Sequence, residues 1–82
     1  MGAKDNIMNK EIEIRLGKNI KNAREKIKMT QGELAANLQL RGCGITRSAV
    51  AKIEVGQRHL YPDEIILIKE ILKIDFETIF YG

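Results

Sequence analysis

The side chains best suited to specific hydrogen bonding are Arg47, Ser48 and Lys52. Lys52 follows Ser48 by four residues, so a helix over this stretch places both on one face. An arginine can form two hydrogen bonds with the O6 and N7 atoms of a guanine, whereas a serine bonds to several bases. These residues could therefore contact the base edges of a nucleic acid. Each could also be a solvated surface residue, and Lys52 could instead contact a phosphate.

Few residues in the chain are suited to catalysis or to metal binding. The sequence contains one cysteine, Cys43, and one histidine, His59, and it lacks a glycine-rich phosphate loop. No motif places a pair of acids for general acid–base chemistry, and one cysteine with one histidine is too few for a structural zinc site. We therefore predict that the protein is not an enzyme and uses no metal or other cofactor.

The positive charge is concentrated in the first two-thirds of the chain. Residues 15–58 carry ten lysines and arginines against three acids, a net charge of +7, whereas residues 59–82 have a net charge of −3 and residues 1–14 of −1. Such a distribution is expected of a surface that faces phosphates. A basic face that is merely solvated has the same composition, so the charge alone leaves both interpretations open.

Length and composition limit the class of protein. A chain of 82 residues is enough for one domain. The longest uninterrupted apolar run, Ile65 to Ile68, is far too short to cross a bilayer. The lone Cys43 cannot form an internal disulfide, which fits a reducing compartment. We expect a cytoplasmic protein without a membrane partner.

The spacing of apolar residues predicts an all-α fold with five helices. Leu16, Ile20, Ala23 and Ile27 recur at helical spacing, and no segment alternates strictly enough to be a strand. Residues 1–11 lack clean periodicity and are interpreted as a flexible N-terminal arm before a domain over residues 12–82. The predicted helices cover residues 12–28, 31–39, 47–55 and 62–73, followed by a short helix that Asp75 caps and that contains Phe76, Ile79 and Phe80.

Two of these helices form a pair joined by a turn. Thr30 and Glu33 fit a capping box at the start of the second helix. Gly42 and Gly44 end that helix and open a turn over residues 40–45, and Thr46 is suited to cap the third helix. A pair of this kind can place its second helix in the major groove of DNA, which is about 12 Å wide. The amide groups at the start of its first helix can bind a phosphate.

Residues 16–80 resemble the Cro/repressor helix-turn-helix family, also called the xenobiotic-response-element family. The resemblance is carried, in the family's order, by Leu16–Arg24, Thr30–Ala35, Thr46–Arg58 and Ile71–Asp75. It implies a five-helix lambda-repressor-like domain and a transcriptional regulator, expected to be a bacterial or phage repressor. The turn through Leu40 to Gly44 is about five residues longer than in the common form of the family. Val55 stands where the family often has a polar residue. The backbone contact that such a residue would make is therefore not expected of Val55.

The resemblance assigns a role to each matching position. Arg47, Ser48 and Lys52 would contact base edges in double-stranded DNA. A second set would contact phosphates, and within it Gln31 would also buttress Arg47. The third helix would be held by a salt bridge to the first. The phosphate contacts are Gln31, Thr46, Gln57 and Arg58, and the salt bridge joins Arg24 to Glu54.

The C-terminal third is more apolar than one core-facing stripe requires. The fourth helix is apolar almost all round at Ile65–Ile68, and the chain ends in another apolar stretch. These residues predict a homodimer interface or a surface that docks another protein. The alternative function is that of an antitoxin, which covers a toxin and also binds DNA. No small-molecule ligand is predicted, and the expected interface residues are Ile66, Leu67, Phe80 and Tyr81.

Overall fold

The computed structural model describes the backbone of residues 2–82 and the side chains of residues 10–82. Within this part of the chain there are five α-helices and no strand, so the predicted fold class is confirmed. The helices are α1 (Gly2–Lys26), α2 (Gln31–Leu40), α3 (Arg47–Glu54), α4 (Pro62–Leu72) and α5 (Phe76–Tyr81).

Helices α2, α3 and α4 start at the predicted residues and end within one residue of the prediction. The predicted start of α1 near residue 12 is wrong, because this helix already begins at Gly2. The apolar stripe is absent before residue 12, and the described side chains there, Lys10 and Glu11, are exposed. The flexibility of an arm over residues 1–11 and the boundary at residue 12 stay predictions, and Met1 lies outside the described residues.

The core lies between the five helices and receives side chains from each of them. Ile20, Leu34, Val50, Ile68 and Ile79 are each almost completely buried, one from each helix in chain order. Complete burial of such a side chain contributes about 1.5–3 kcal/mol of hydrophobic stabilisation. The core therefore holds the five helices together around the α2–α3 pair.

Capping residues set the starts of three helices. The Thr30 hydroxyl accepts a hydrogen bond from the Glu33 amide at 3.0 Å, and the Glu33 carboxylate accepts one from the Thr30 amide at 2.8 Å. The hydrogen bond from the Thr30 amide is the main cause of a lowered pKa of Glu33, and the Thr30 side chain lowers this pKa further. Thr46 and Asp75 each accept a hydrogen bond from the amide three residues further along. The predicted caps of α2, α3 and α5 are thus present.

The longer turn between α2 and α3 is closed by its own contacts. Gly42 has a φ of 82°, a conformation that glycine adopts without strain. The Gln39 side chain donates a hydrogen bond to the Ile45 carbonyl at 3.0 Å, and the Ile45 side chain is buried in the core. The turn therefore returns the chain to the core before α3 begins.

Helix α1 crosses α3 at very short range. A Cβ atom on Gly17 would lie closer than 3.0 Å to the Ile53 carbonyl oxygen. The position therefore requires a glycine, although a glycine inside a helix costs about 0.5–1 kcal/mol relative to alanine. This close approach brings the side chains of α1 within reach of Glu54 at the end of α3.

Substitution of Gly17 tests this close approach. We expect Gly17→Ala to lower the free energy of unfolding by about 1–3 kcal/mol, because the added methyl group overpacks the helix crossing. Gly32→Ala in α2 is the control, since its Cβ would meet no atom closer than 3.9 Å. That change should be neutral or stabilise the protein by up to about 1 kcal/mol. Urea denaturation measures both values, and equal stabilities of the two variants would contradict the predicted steric constraint.

Candidate nucleic-acid interface

A buried ion pair connects α1 to the end of α3. Arg24 Nε lies 2.7 Å from Glu54 Oε2, and Arg24 Nη2 lies 2.9 Å from Glu54 Oε1. The two side chains are only 8% and 1% exposed. The hydrogen bonds that Arg24 donates to Glu54 are the main cause of the rise in the pKa of Arg24 above its ordinary value. The salt bridge implied by the family resemblance is thus present, and its geometry is bidentate.

Further hydrogen bonds connect the same ion pair to Met29, before α2, and to Gln31, the first residue of α2. Arg24 Nη1 donates a hydrogen bond to the Met29 carbonyl at 2.6 Å, and Gln31 Nε2 donates one to Glu54 Oε1 at 3.0 Å. One network therefore joins α1, the start of α2 and the end of α3. Among the described hydrogen bonds, the Gln31 side chain binds Glu54, and none joins it to Arg47 as the family resemblance implied.

Helix α3 has one buried face and one exposed polar face. Val50, Ile53 and Glu54 are buried, and the residues expected to contact bases are exposed. The α2 pair partner lies beside this face, because a Cβ on Gly32 would be 3.9 Å from Arg47 Cδ. The face thus presents a guanidinium, two hydroxyls and an ammonium group. Its exposed residues are Thr46, Arg47, Ser48 and Lys52.

Gln57 and Arg58, two predicted phosphate contacts, follow α3 and differ in their surroundings. Gln57 is exposed. Arg58 instead forms two hydrogen bonds with the Glu64 carboxylate, at 2.8 and 3.0 Å, and its side chain is 30% exposed. A third bond runs from Arg58 Nη1 to the His59 carbonyl at 2.9 Å. Arg58 is therefore not a free cation in this structure, because its charge is compensated by Glu64.

The role of Glu64 as the partner of Arg58 was not predicted from the sequence. Its carboxylate also accepts a hydrogen bond from the Tyr61 amide at 3.0 Å. Burial raises the pKa of Glu64, but the hydrogen bonds from Arg58 and Tyr61 and the charge of Arg58 outweigh this effect, so the pKa lies below its ordinary value. A glutamate at the third position of α4, six residues after an arginine, was the available signal.

The residues expected to form a partner surface differ in their exposure. Ile66 and Tyr81 are exposed, whereas Leu67 and Phe80 are half-buried and pack against the core. Phe76, which was expected only as part of the last helix, is exposed as well. The exposed apolar area on α4 and α5 is thus carried by Ile66, Phe76 and Tyr81.

The described side chains also bear on other kinds of site. They contain no group of three or more histidine, cysteine, aspartate or glutamate residues placed to hold a metal ion. None of the helices described is both long and apolar enough to span a membrane. Cys43 is half-buried in the turn before α3.

Comparison with known proteins gave one match. Residues 20–79 match a family described as helix-turn-helix, of the Cro/C1 type. The match includes α2, the longer turn, α3 and α4. Neither the comparison with curated proteins nor the comparison with solved structures gave a match.

The buried ion pair can be tested through stability. Arg24→Ala leaves the Glu54 carboxylate buried with one fewer partner, and we expect a loss of about 3 kcal/mol in the free energy of unfolding. For a domain of this size, that loss lowers the melting temperature by more than about 10 °C. Arg41→Ala is the control, because Arg41 and Glu70 form an exposed pair at 3.7 Å, and such pairs contribute less than about 1 kcal/mol. An Arg24→Ala variant with the same melting temperature as the wild type would mean that the pair does not hold α3.

The Glu64 pair should make stability depend on pH in a defined direction. Because the pKa of Glu64 is lowered in the folded protein, its contribution is present above the ordinary value of 4.5 and is lost as the pH falls below it. Glu64→Gln should thus be less stable than the wild type near neutral pH, and the difference should shrink in acid. Denaturation curves between about pH 7 and about pH 3 measure this. Glu70→Gln, at the exposed pair, should stay within about 1 kcal/mol of the wild type throughout. A difference for Glu64→Gln that is independent of pH would exclude the ionised carboxylate as its cause.

Proposed function

The chain belongs to the Cro/C1-type helix-turn-helix family of DNA-binding regulators, and from this premise we propose that it binds double-stranded DNA sequence-specifically as a repressor. In this proposal α3 enters the major groove. A protein bound at its operator excludes other proteins from that DNA, which is the simplest route to repression. The proposed place of action is the cytoplasm, where a bacterial or phage operator is found.

The observation that carries the proposal is the exposed polar face of α3. Arg47, Ser48 and Lys52 point away from the core, whereas the opposite face of the helix is held by Val50, Ile53 and the buried ion pair. A helix fixed in this way keeps its hydrogen-bonding groups oriented before DNA arrives, so little side-chain and backbone freedom is lost on binding. We assign the base contacts to Arg47, Ser48 and Lys52.

The phosphate contacts are proposed around the ends of the two helices. The start of α2 offers free amides and the positive end of the helix dipole beside Gln31. Gln31 is held by Glu54 through one amide hydrogen and retains the other for a phosphate oxygen. Thr46 and Gln57 are exposed at the two ends of α3. Arg58 is the weakest member of the set, because Glu64 already binds its guanidinium.

We also propose a homodimer on DNA, formed through the exposed apolar side chains of α4 and α5. Ile66 and Tyr81 supply the exposed part of this surface, and Leu67 and Phe80 support it from the core. Two copies related by a two-fold axis would place their α3 helices about 34 Å apart, one turn of the duplex. Selection of bound sequences from a random DNA pool tests both proposals. Two inverted half-sites support the dimer, one unsymmetrical half-site contradicts it, and no enrichment contradicts sequence-specific binding.

Two arginine variants separate base contacts from phosphate contacts. Arg47→Ala should cost about 1–3 kcal/mol on the selected duplex and relax the preference at one base pair per half-site. Arg58→Ala should weaken binding equally on selected and scrambled duplexes. Because Glu64 compensates its charge, the salt slope should fall by less than the value of about one expected for a free cation.

Affinities of both variants on both duplexes, measured at several salt concentrations, provide the comparison. Equal losses for Arg47→Ala on the two duplexes would make Arg47 a phosphate contact. A decrease of the full value of about one for Arg58→Ala would mean that its guanidinium leaves Glu64 when DNA binds.

A further inference from the structure

The α3–α4 loop, residues 55–61, is held by α1 as well as by α4. The Lys10 ammonium donates a hydrogen bond to the Gly56 carbonyl, and the Glu13 carboxylate contacts Nδ1 of His59. Ile14 lies against Gly56 so closely that a Cβ there would approach the Ile14 backbone and side chain to 3.0 Å or less. Three side chains on adjacent turns of α1 therefore contact both ends of the segment Gly56–His59.

The α1 residues that hold the loop precede the region that matches the family. The match begins at residue 20, whereas Lys10, Glu13 and Ile14 precede it. The segment that they hold contains Gln57, a proposed phosphate contact with an exposed side chain. Lys10, Glu13 and Ile14 thus hold a segment of the matched region from outside it.

We propose that the α1 segment from Lys10 to Ile14 positions the α3–α4 loop for phosphate contact, with Glu13 and His59 as the central pair. The inference rests on the proposed DNA binding. Gly56 has a φ of 74°, so the chain turns sharply as it leaves α3. Lys10 binds the Gly56 carbonyl at this turn, two residues after the end of α3. The Glu13–His59 contact fixes the chain three residues later, and Gln57 lies between these two points.

A positioning role for Glu13 predicts a DNA affinity change opposite to that expected from charge. An acidic side chain repels DNA, so its removal by electrostatics alone raises affinity. Removal of a positioning side chain lowers affinity, because the loop must then be ordered during binding. Glu11 provides the matched control, since it is an exposed acid on the same helix, two residues away.

The experiment compares Glu13→Ala with Glu11→Ala in the full chain on selected and scrambled duplexes. We expect Glu13→Ala to lose roughly two- to tenfold in affinity on both duplexes, the range that corresponds to one hydrogen bond. Glu11→Ala should bind as well as the wild type or slightly better. His59→Gln, which removes the other partner, should reproduce the loss. Affinity changes of the same sign and size in the two alanine variants would overturn the proposal.

A double-mutant cycle separates positioning from general stability. In a Gln57→Ala background the effect of Glu13→Ala should largely disappear, because the contact that Glu13 positions is already absent. The free energy of unfolding should show no such coupling. Additive effects on affinity would assign Glu13 a purely structural role and reject the inference.

Hydrogen exchange in the free protein keeps this inference separate from the proposed function. The Gln57 amide donates to the Lys52 carbonyl at 2.8 Å, and its exchange should accelerate in Glu13→Ala but not in Glu11→Ala. A wild-type protein that binds no duplex DNA would reject the proposed function, whatever the exchange rates are. An unchanged exchange rate of this amide in Glu13→Ala would contradict the proposal that α1 positions the loop, even if the wild type binds DNA.

Discussion

The buried ion pair between Arg24 and Glu54 is the interaction on which the rest of the structure depends. Hydrophobic contacts hold α3 against the core, but they are not directional and leave its rotation loosely defined. The two hydrogen bonds between the guanidinium and the carboxylate fix that rotation. Since replacing a buried pair by apolar side chains is often neutral or stabilising, its value here is geometric. Gly17 permits the helix approach that lets the two groups meet.

Arginine and lysine side chains divide into two classes once their partners are known. Arg24, Arg41 and Arg58 are paired with Glu54, Glu70 and Glu64. Arg47 and Lys52 are exposed on α3. Because Glu64 and Glu70 lie outside residues 15–58, the net charge of that segment overstates the charge that is available to a polyanion. In this protein, the position of a cation relative to an acid on the next element matters more than the number of cations.

Local sequence signals predicted the helix pair well, whereas contacts distant in sequence were beyond them. The starts of α2, α3 and α5 follow from side chains that bond to amides three residues away, so a short stretch of sequence is enough to place them. No local signal predicted that α1 includes Lys10, whose contact with Gly56 spans 46 residues. The orientation of Arg58 depends on the path of the loop before α4, which no periodicity encodes. The family resemblance suggested a phosphate role for Arg58 and carried no information about Glu64.

The turn between α2 and α3 separates two properties that usually change together, the length of a connection and the orientation of the helix after it. Its ends are tied by the Gln39–Ile45 hydrogen bond and by the burial of Ile45. Between these ends, Leu40 is 85% exposed and a side chain at Gly44 would meet open space. Mutations at Leu40 and Gly44, unlike mutations at Gly42 with its positive φ, can accumulate at little cost to folding while α3 keeps its direction. The turn is thus a place where descendants of this chain can acquire new surface chemistry beside α3 without rebuilding the helix itself.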